Sequence, residues 1–284
     1  MRRFFLSLLT ACLLAPQIAA AQTSTPVMRV LLSPQSISLP ASGLILRLEA
    51  DNLGSQWQTI SGTTAVAADG DLVGTWNDLS TSAFNFTATA DDGTRLTHKI
   101  VNGVHSNSCD GVDDKLRRSG VLGLYANGKA TVMVAITQDT SDTGTIFSEA
   151  NSGVSAPFYQ IPLTTAADAN DVGASIRNDA VTVIHPATTI LADEALFNNT
   201  NHVITTFDTG SSLQVFVGNV GYTTTAYTRS GALTLNITGL CTDAKNGFGN
   251  FPKVYIQGIW VWNRLLEPLE FASALRYAKK KQGF

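Results

Sequence analysis

The chain has 284 residues, of which only 14% are charged, and its formal net charge is −3. This balance gives no electrostatic basis for binding nucleic acid, which needs a strongly basic surface. The one basic cluster, at residues 279–281, closes a helical pattern, where it complements the negative end of the helix dipole. The length suits one large β domain as well as two small ones. Because the sequence contains no repeat or Pro-rich linker, we predict one domain.

The first 21 residues have the features of a secretory signal peptide. Arg2 and Arg3 form a positive n-region, residues 4–14 are apolar, and small residues precede Gln22. The apolar run is too short to cross a bilayer as a helix, which takes about 20 residues. We therefore predict cleavage after Ala21 and an exported mature protein, in the periplasm, outside the cell or on the cell surface.

A lipoprotein signal is the alternative interpretation of this segment. The sequence LTAC at residues 9–12 resembles a lipobox, in which Cys12 would be lipidated and would tether the protein to a membrane. The apolar stretch before Cys12 is short for such a signal, and apolar residues continue after it. The mass of the mature N-terminus distinguishes the two interpretations.

From residue 44 onward, short runs rich in β-branched and aromatic residues alternate with Gly, Asn, Asp and Ser, which is typical of strands and turns. The clearest predicted strands are 44–49, 130–137, 158–163, 203–208, 213–217, 233–237 and 254–262. Residues 22–43 are predicted to be an N-terminal arm or leader strand. Only residues 267–281 have helical character, with Pro268 in the first turn and Gly283 after the last. The pattern predicts an all-β, two-sheet antiparallel sandwich with one C-terminal helix.

Three motifs, in this order, resemble those of the concanavalin A-like lectin/glucanase superfamily, and especially of its laminin-G-like jelly-roll domains. The first is LILRLEAD at 44–51 followed by VGTWNDLS at 73–80, the second is CDGVDDKL at 109–116, and the third is IWVWNRLL at 259–266. The resemblance implies that residues 44–284 form one laminin-G-like jelly roll. Large rings are expected to fill the space between its sheets, namely Trp76 and either Trp260 or Trp262.

The resemblance also implies a calcium ion at the rim of the sandwich. Asp110, Asp113 and Asp114 offer three carboxylates within five residues, and calcium takes six to eight oxygen ligands. The alternative is structural, because the same side chains can close a tight turn by hydrogen bonds to the backbone. Calcium is the only cofactor that the sequence suggests.

Two cysteines remain after cleavage, Cys109 and Cys241. An even number in an oxidising compartment predicts one disulfide, and two buried free thiols are the alternative. Members of the family have Phe at the position of Cys109, a departure that fits a bridge to Cys241. The histidines lie too far apart in the sequence to predict a metal site. They are His98, His105, His185 and His202.

A sugar-binding site needs an aromatic ring that can stack on a pyranose, and exposed loop aromatics are the expected anchors. Trp57, Tyr222 and Tyr227 have polar neighbours and are predicted near strand ends, so we assign them as candidate ligand-binding residues. The alternative is that each ring covers the edge of a sheet.

The motifs of related enzymes are missing. Glucanases of the superfamily use two carboxylates about 5 Å apart, and the chain has neither a Glu-x-Asp-x-x-Glu pattern nor a Gly-x-Ser-x-Gly elbow. We therefore predict a secreted or surface-exposed, non-catalytic module that binds a glycan or surface polymer, with no transmembrane segment in the mature chain. The alternatives are a structural or adhesive component of a cell-surface or phage-derived assembly, and a polysaccharide-cleaving enzyme, since the fold hosts all three.

Overall fold

A computed structural model of the chain describes residues 37–124, 126, 128–138, 144–154, 158–162, 171–177, 183–184, 187–189, 201–227, 234–245 and 248–284. The predicted signal peptide, Cys12 and the N-terminal arm up to residue 36 lie outside the described residues. The described residues belong to one compact unit, Ser33–Phe284.

The described strands are short and are numbered here in chain order. The first ten are β1 Leu44–Glu49, β2 Gln56–Trp57, β3 Leu72–Val73, β4 Thr75–Trp76, β5 Phe86–Thr87, β6 Leu96–Val101, β7 Val104–Asp110, β8 Leu116–Ser119, β9 Ala130–Gln138 and β10 Thr145–Ala150. The next ten are β11 Phe158–Pro162, β12 Asp171–Gly173, β13 Ser175–Arg177, β14 Val183–Ile184, β15 Ala187–Thr189, β16 Asn201–Asp208, β17 Ser212–Val217, β18 Val220–Ala226, β19 Ile237–Leu240 and β20 Lys253–Trp262. A 3-10 turn spans Leu53–Ser55, and helix α1 spans Pro268–Lys281.

These strands form two large antiparallel sheets. Sheet A has the order β18-β17-β16-β9-β20-β7-β6-β3, and β1 also pairs with β20. Sheet B has the order β14-β13-β11-β10-β19-β8-β5-β4-β2, and β12 pairs with β15 separately. The predicted all-β sandwich of two antiparallel sheets with one C-terminal helix is confirmed. No helix in the described part of the chain is long and apolar enough to cross a membrane.

The predicted elements agree with the structure where the local signal was strong. Strand β1 has the predicted bounds, the other long predicted strands differ by one or two residues, and α1 begins one residue later than expected. The strand predicted at 233–237 is wrong over 234–236, which are irregular, since the strand begins at Ile237. The prediction missed β6, β7 and β10, whose polar and charged residues obscure the pattern.

The two faces of sheet A are both apolar and are covered by different partners. Residues that point inward, such as Leu48, Ile136 and Val261, pack with Trp76 in the core between the sheets. Trp260 and Trp262 lie on the opposite face, in a second cluster that contains α1. Side chains alternate along a strand, so the Trp residues of β20 cannot share the face of Val261. The expectation that one of them fills the inter-sheet space is therefore wrong, and of these three tryptophans only Trp76 belongs to the core between the sheets.

The corner between β20 and α1 is fixed by a double hydrogen bond. Arg264 donates from Nη1 and Nη2 to the two carboxylate oxygens of Glu270, at 2.6 and 2.7 Å. Glu267 and Glu270 form a reciprocal capping box, and Pro268 occupies the first turn, where its missing N–H is not needed. The last turn carries three lysines, and Gly283 then adopts a positive φ of 83°.

The buried carboxylate of Glu49 joins α1 to sheet A. Its Oε1 accepts hydrogen bonds from Arg47 Nε at 2.8 Å, Tyr277 Oη at 2.9 Å and Trp260 Nε1 at 3.1 Å. Lys281 Nζ lies 2.9 Å from the other oxygen. Burial alone would raise the pKa of Glu49, but the hydrogen bonds from Arg47, Lys281 and Trp260 outweigh it and lower the pKa to about 2. The ionised carboxylate therefore stabilises the docked helix.

A disulfide joins the two sheets at one end of the sandwich. Cys109 near the end of β7 is bonded to Cys241, which directly follows β19, and their Cα atoms are 6.1 Å apart. Both residues are fully buried. The bond, which the cysteine count predicts, connects residues 132 positions apart in sequence.

We predict that Glu49→Gln lowers the free energy of unfolding by about 3 kcal/mol at pH 7, from the pKa difference between the folded and unfolded states. Because the folded-state pKa is depressed, this stabilisation is present above the unfolded value of 4.5 and is lost as the pH falls towards 2. Urea unfolding at pH 7 and pH 3 measures the difference. Asp51→Asn is the control, since Asp51 also pairs with Lys281 but is 41% exposed in its side chain, and should cost less than about 1 kcal/mol. A Glu49→Gln protein as stable as the wild type at pH 7 would contradict the assignment.

We further predict that denatured, unreduced mature protein has no titratable thiol. Reduction should lower the free energy of unfolding by up to about 5 kcal/mol, because a loop of this length gains much chain entropy when it is released. A Cys109→Ser/Cys241→Ser double variant should have the reduced protein's stability and should not respond to reductant. Two thiols in the unreduced wild type would exclude the disulfide.

Candidate functional site

The acidic turn that follows β7 is closed by its own carboxylates. Asp110 Oδ1 accepts the N–H groups of Val112 at 2.7 Å, Asp113 at 3.2 Å and Asp114 at 3.4 Å. Asp114 Oδ2 accepts the N–H of Asp110 at 3.1 Å. These bonds are the structural alternative that the sequence offered for the three aspartates, and they account for the motif without a ligand.

The carboxylates of the same turn could supply some of the oxygen ligands of a calcium ion. One carboxylate oxygen from each of Asp110, Asp113 and Asp114 lies within 4.8 Å of the others. Burial, and then the charge of Asp110, raise the pKa of Asp114 to about 7. A divalent cation would relieve this repulsion, but the group contributes three of the six to eight oxygens that calcium takes. The aspartates fit one side of a calcium shell, and the calcium site stays a prediction.

The candidate aromatic residues do not form one site. Trp57 is half-buried on β2, the edge strand of sheet B. Tyr227 follows β18, the edge strand of sheet A, and is only 9% exposed, with its hydroxyl donating to Asp208 Oδ1. The expectation of an exposed ring is therefore wrong for Tyr227. Tyr222 belongs to β18, but its side chain lies outside the described residues.

Two histidines come together, contrary to the expectation from their sequence spacing. The β6–β7 pairing places His98 Nε2 3.0 Å from His105 Nδ1, and His98 Nδ1 lies 3.0 Å from Asn107 Oδ1. The ring of His98 is fully buried, and burial lowers its pKa. Within the described residues no third metal-ligating side chain joins this pair, so the histidines are explained as a buried hydrogen-bonded pair.

A cleft of about 510 Å³ opens on the outer face of sheet A, beside the C-terminal end of α1. Its size lies in the range of small-ligand sites, about 300–1,000 Å³. We call it the polar cleft and define it by its lining residues. They are Val101, Asn102, Val104, Ser106, Thr137, Asn201, Tyr255, Gln257, Gln282, Gly283 and Phe284.

The inner part of the polar cleft is a network of amides and hydroxyls. Thr137 Oγ1 donates to Asn201 Oδ1 and accepts from Gln257 Nε2 at 3.0 Å. Asn201 Nδ2 donates to the carbonyl oxygen of Gln282 at 3.2 Å. A primary amide nitrogen carries two hydrogens, and these described bonds take one each from Asn201 and Gln257. Both amides therefore retain hydrogen-bonding capacity towards a ligand.

Gln282 holds this arrangement in place from the end of α1. Its Nε2 donates to the carbonyl oxygens of Ile136 and His202, both at 2.9 Å, on neighbouring strands of sheet A. The side chain is 3% exposed, so it acts as a fixed support between helix and sheet. The position of the last helical turn thus determines the shape of the polar cleft.

The outer part of the polar cleft is apolar and exposed. Val101 is 52% exposed and Phe284 is 78% exposed. Asn102 and Gly103 turn the hairpin that carries Val101, with φ values of 53° and 78°, the left-handed conformation that a two-residue Asn-Gly hairpin loop requires. The polar inner part is thus bordered by side chains that can pack against the C–H groups of a ligand.

A smaller pocket of about 280 Å³ adjoins the polar cleft and shares Asn201, Gln282 and Phe284 with it. It differs in chemistry, because His202 and Lys279 are among its lining residues. Lys279 is exposed. Because they share these residues, the two pockets adjoin each other at the end of α1, and Lys279 belongs to the lining of the smaller one.

Sequence reasoning missed the polar cleft, although part of its signal was present. In β20 the alternation places Tyr255 and Gln257 on the same face, opposite Val254 and Ile256, and two polar side chains on an otherwise apolar strand indicate a special site. Nothing local indicates that Asn201 would meet them, since it lies more than fifty residues away in the sequence.

No Asp or Glu is among the described residues that line the polar cleft. Glu149 is fully buried on β10, where it accepts the N–H of Leu122 and, at 3.4 Å, that of Leu124. Burial raises its pKa to about 7. Tyr159 and Thr206 also share a hydrogen bond of 2.9 Å in the interior. These groups are all fully buried, and none of them lines the polar cleft.

No protein-family model and no curated protein matches the sequence. Several solved structures share the fold at low identity. Domain 4 of an extracellular arabinanase from Geobacillus stearothermophilus, in complex with arabinotriose, matches 84% of this chain with a TM-score of 0.56 and 10% identity. The match covers 100% of that domain.

Two binding domains are also similar. The binding domain of Paraclostridial Mosquitocidal Protein 1 matches 83% of this chain with a TM-score of 0.56 and 11% identity. The ligand-binding domain of botulinum neurotoxin serotype D, in complex with N-acetylneuraminic acid, matches 84% with a TM-score of 0.52 and 10% identity. The chain spans only about half of the length of these two domains, 52% and 51%. At such identities the likeness shows a shared β-sandwich fold.

We predict that calcium stabilises the mature protein at pH 7.5 if the acidic turn is a metal site. Calcium at about 100 times its dissociation constant adds about 2.7 kcal/mol by mass action, which thermal unfolding in calcium and in chelator would detect. Asp114→Asn keeps an acceptor for the N–H of Asp110 and removes one charge, so its melting temperature should not respond to calcium. If the wild type has the same melting temperature in calcium and in chelator, the turn is not a calcium site and has only its structural role.

Proposed function

We propose that this protein is an exported, non-catalytic binding module that recognises a glycan in the polar cleft. The observation that carries the proposal is the lining of this cleft, where amide and hydroxyl groups are bordered by exposed apolar side chains. Sugar hydroxyls both donate and accept hydrogen bonds, and Asn and Gln amides offer a donor and an acceptor side by side. The C–H faces of a sugar ring pack favourably on the face of an aromatic ring such as Phe284.

Rigid support for the polar groups favours a binding role. Gln257 and Gln282 are 2% and 3% exposed, and each is held by hydrogen bonds to neighbouring strands or side chains. Groups that are fixed before a ligand arrives lose little conformational entropy on binding. A preformed cleft with a few fixed polar groups is the usual form of a small-ligand site.

The similar structures support the same class of ligand. The arabinanase domain is in complex with an arabinose trisaccharide, and the serotype D neurotoxin domain with N-acetylneuraminic acid. A fold can host unrelated functions, so the proposal rests on the polar cleft and the fold adds to it.

A binding role fits the lining better than catalysis does. Glycoside hydrolysis uses two carboxylates on either side of the scissile bond, about 5 to 10 Å apart. The described residues that line the polar cleft contribute no carboxylate side chain. Export, for which Arg2, Arg3 and the apolar residues 4–14 are the sequence basis, would bring the module into contact with extracellular polymers.

A glycan array tests the proposal with mature protein that begins at Gln22. We expect saturable binding to one class of glycan. Phe284→Ala should weaken it about fivefold or more, because it removes the exposed ring of the polar cleft. Leu269→Ala is the matched control, since Leu269 is 57% exposed on α1 and does not line the polar cleft, and it should bind as the wild type does.

The results of this experiment distinguish a wrongly assigned binding site from a wrongly assigned function. Binding that is equally strong in Phe284→Ala and in the wild type, and also in Asn201→Ala, would place the ligand elsewhere on the protein. Absence of binding to every glycan on the array would contradict the proposed function and would favour a structural or adhesive role.

A further inference from the structure

We infer that the polar cleft selects uncharged oligosaccharides over acidic ones. This inference rests on the proposed function and specifies the ligand class of the same site. It follows from the charges and hydrogen-bonding groups of the lining residues.

The side chains that line the polar cleft combine many dipoles with no charge. Its polar side chains are amides and hydroxyls, and none of the described lining residues carries an ionised side chain at neutral pH. A carboxylate that enters such a cleft loses hydration without meeting a cation, which opposes its binding. A neutral sugar has no such charge to desolvate.

The hydrogen-bond pattern points in the same direction. Asn201 Oδ1 and Gln257 Oε1 are acceptors in the inner part of the polar cleft, beside the donors Asn201 Nδ2 and Gln257 Nε2. A sugar hydroxyl can donate to the first pair and accept from the second. A carboxylate only accepts, so it has no hydrogen to offer these acceptors and would be repelled by their partial charges.

The lysine of the adjoining smaller pocket does not compensate for the hydration that a carboxylate would lose in the polar cleft. Lys279 lines the smaller pocket and not the polar cleft. Lys279 is exposed, and an exposed charge contributes little to an ion pair because water and salt screen it. Lys99 pairs with Ser106 across the β6–β7 hairpin but does not line the polar cleft either. These lysines can steer an acidic glycan towards the surface without binding it inside.

Matched pairs of glycans test the inference by isothermal titration calorimetry on mature protein. The probes are lactose and sialyllactose, and xylotriose and its glucuronic-acid-substituted form, together with arabinotriose as a further neutral probe. In every pair that binds, we expect the neutral member to bind at least tenfold more tightly than the acidic one. Lys279→Ala should leave the affinity for neutral probes unchanged.

A charge-addition variant tests the physical cause. Val101→Lys places a cation at the exposed border of the polar cleft, and at low salt it should raise the affinity for the acidic member severalfold. Val220→Lys is the matched control, because Val220 is 50% exposed, like Val101 at 52%, but does not line the polar cleft. It should leave both members of each pair unchanged.

Failure of the inference differs from failure of the proposed function. If an acidic member binds as tightly as its neutral partner, or more tightly, the protein is still a glycan-binding module but the inferred selectivity is wrong. The same conclusion follows if Val101→Lys and Val220→Lys change acidic binding equally. If no probe binds and the array is also negative, the proposed function itself is wrong.

Discussion

The ionised carboxylate of Glu49 is the interaction on which the arrangement of this protein depends. It lies buried at the end of β1, where it meets the guanidinium of Arg47, the indole of Trp260 and the ammonium of Lys281. An unpaired charge at this position would be strongly destabilising, so the helix must dock in the register that brings Lys281 to it. One carboxylate thereby connects the first strand, the last strand and the last helical turn.

Docking of the helix satisfies a second constraint, which is that sheet A is apolar on both faces. Sheet B covers one face, and α1 covers Trp260, Trp262 and Met133 on the other. The helix covers only part of that face, and where it ends the outward residues of β9, β16 and β20 become polar. The polar cleft lies at this border. Gln282, the residue after the last helical turn, stabilises it by bonding to two strands at once.

The three candidate ligand features have different physical origins. The acidic turn at residues 110–114 is closed by local hydrogen bonds and would need further oxygens to hold calcium. Of the candidate aromatic residues, Tyr227 is buried, and Trp57 is half-buried on an edge strand of sheet B. The polar cleft differs from both, because its fixed amides still have hydrogen-bonding capacity and its border is exposed. The proposed binding of an uncharged glycan rests on this feature.

The sequence by itself determined the all-β class, the terminal helix and the disulfide partners. The first two follow from local patterns, such as the alternation in β20 and Pro268 and Gly283 at the ends of α1, and the third from the two cysteines that remain after the predicted cleavage. It could also have yielded the β6–β7 hairpin from Asn102-Gly103. Only the tertiary structure decided which face each tryptophan occupies and which residues line the polar cleft. Val101, Thr137, Asn201, Gln257 and Gln282 come from distant parts of the chain, and their meeting depends on strand order and on where α1 docks. Those are properties of long-range packing, which leaves no periodic signal in any one segment.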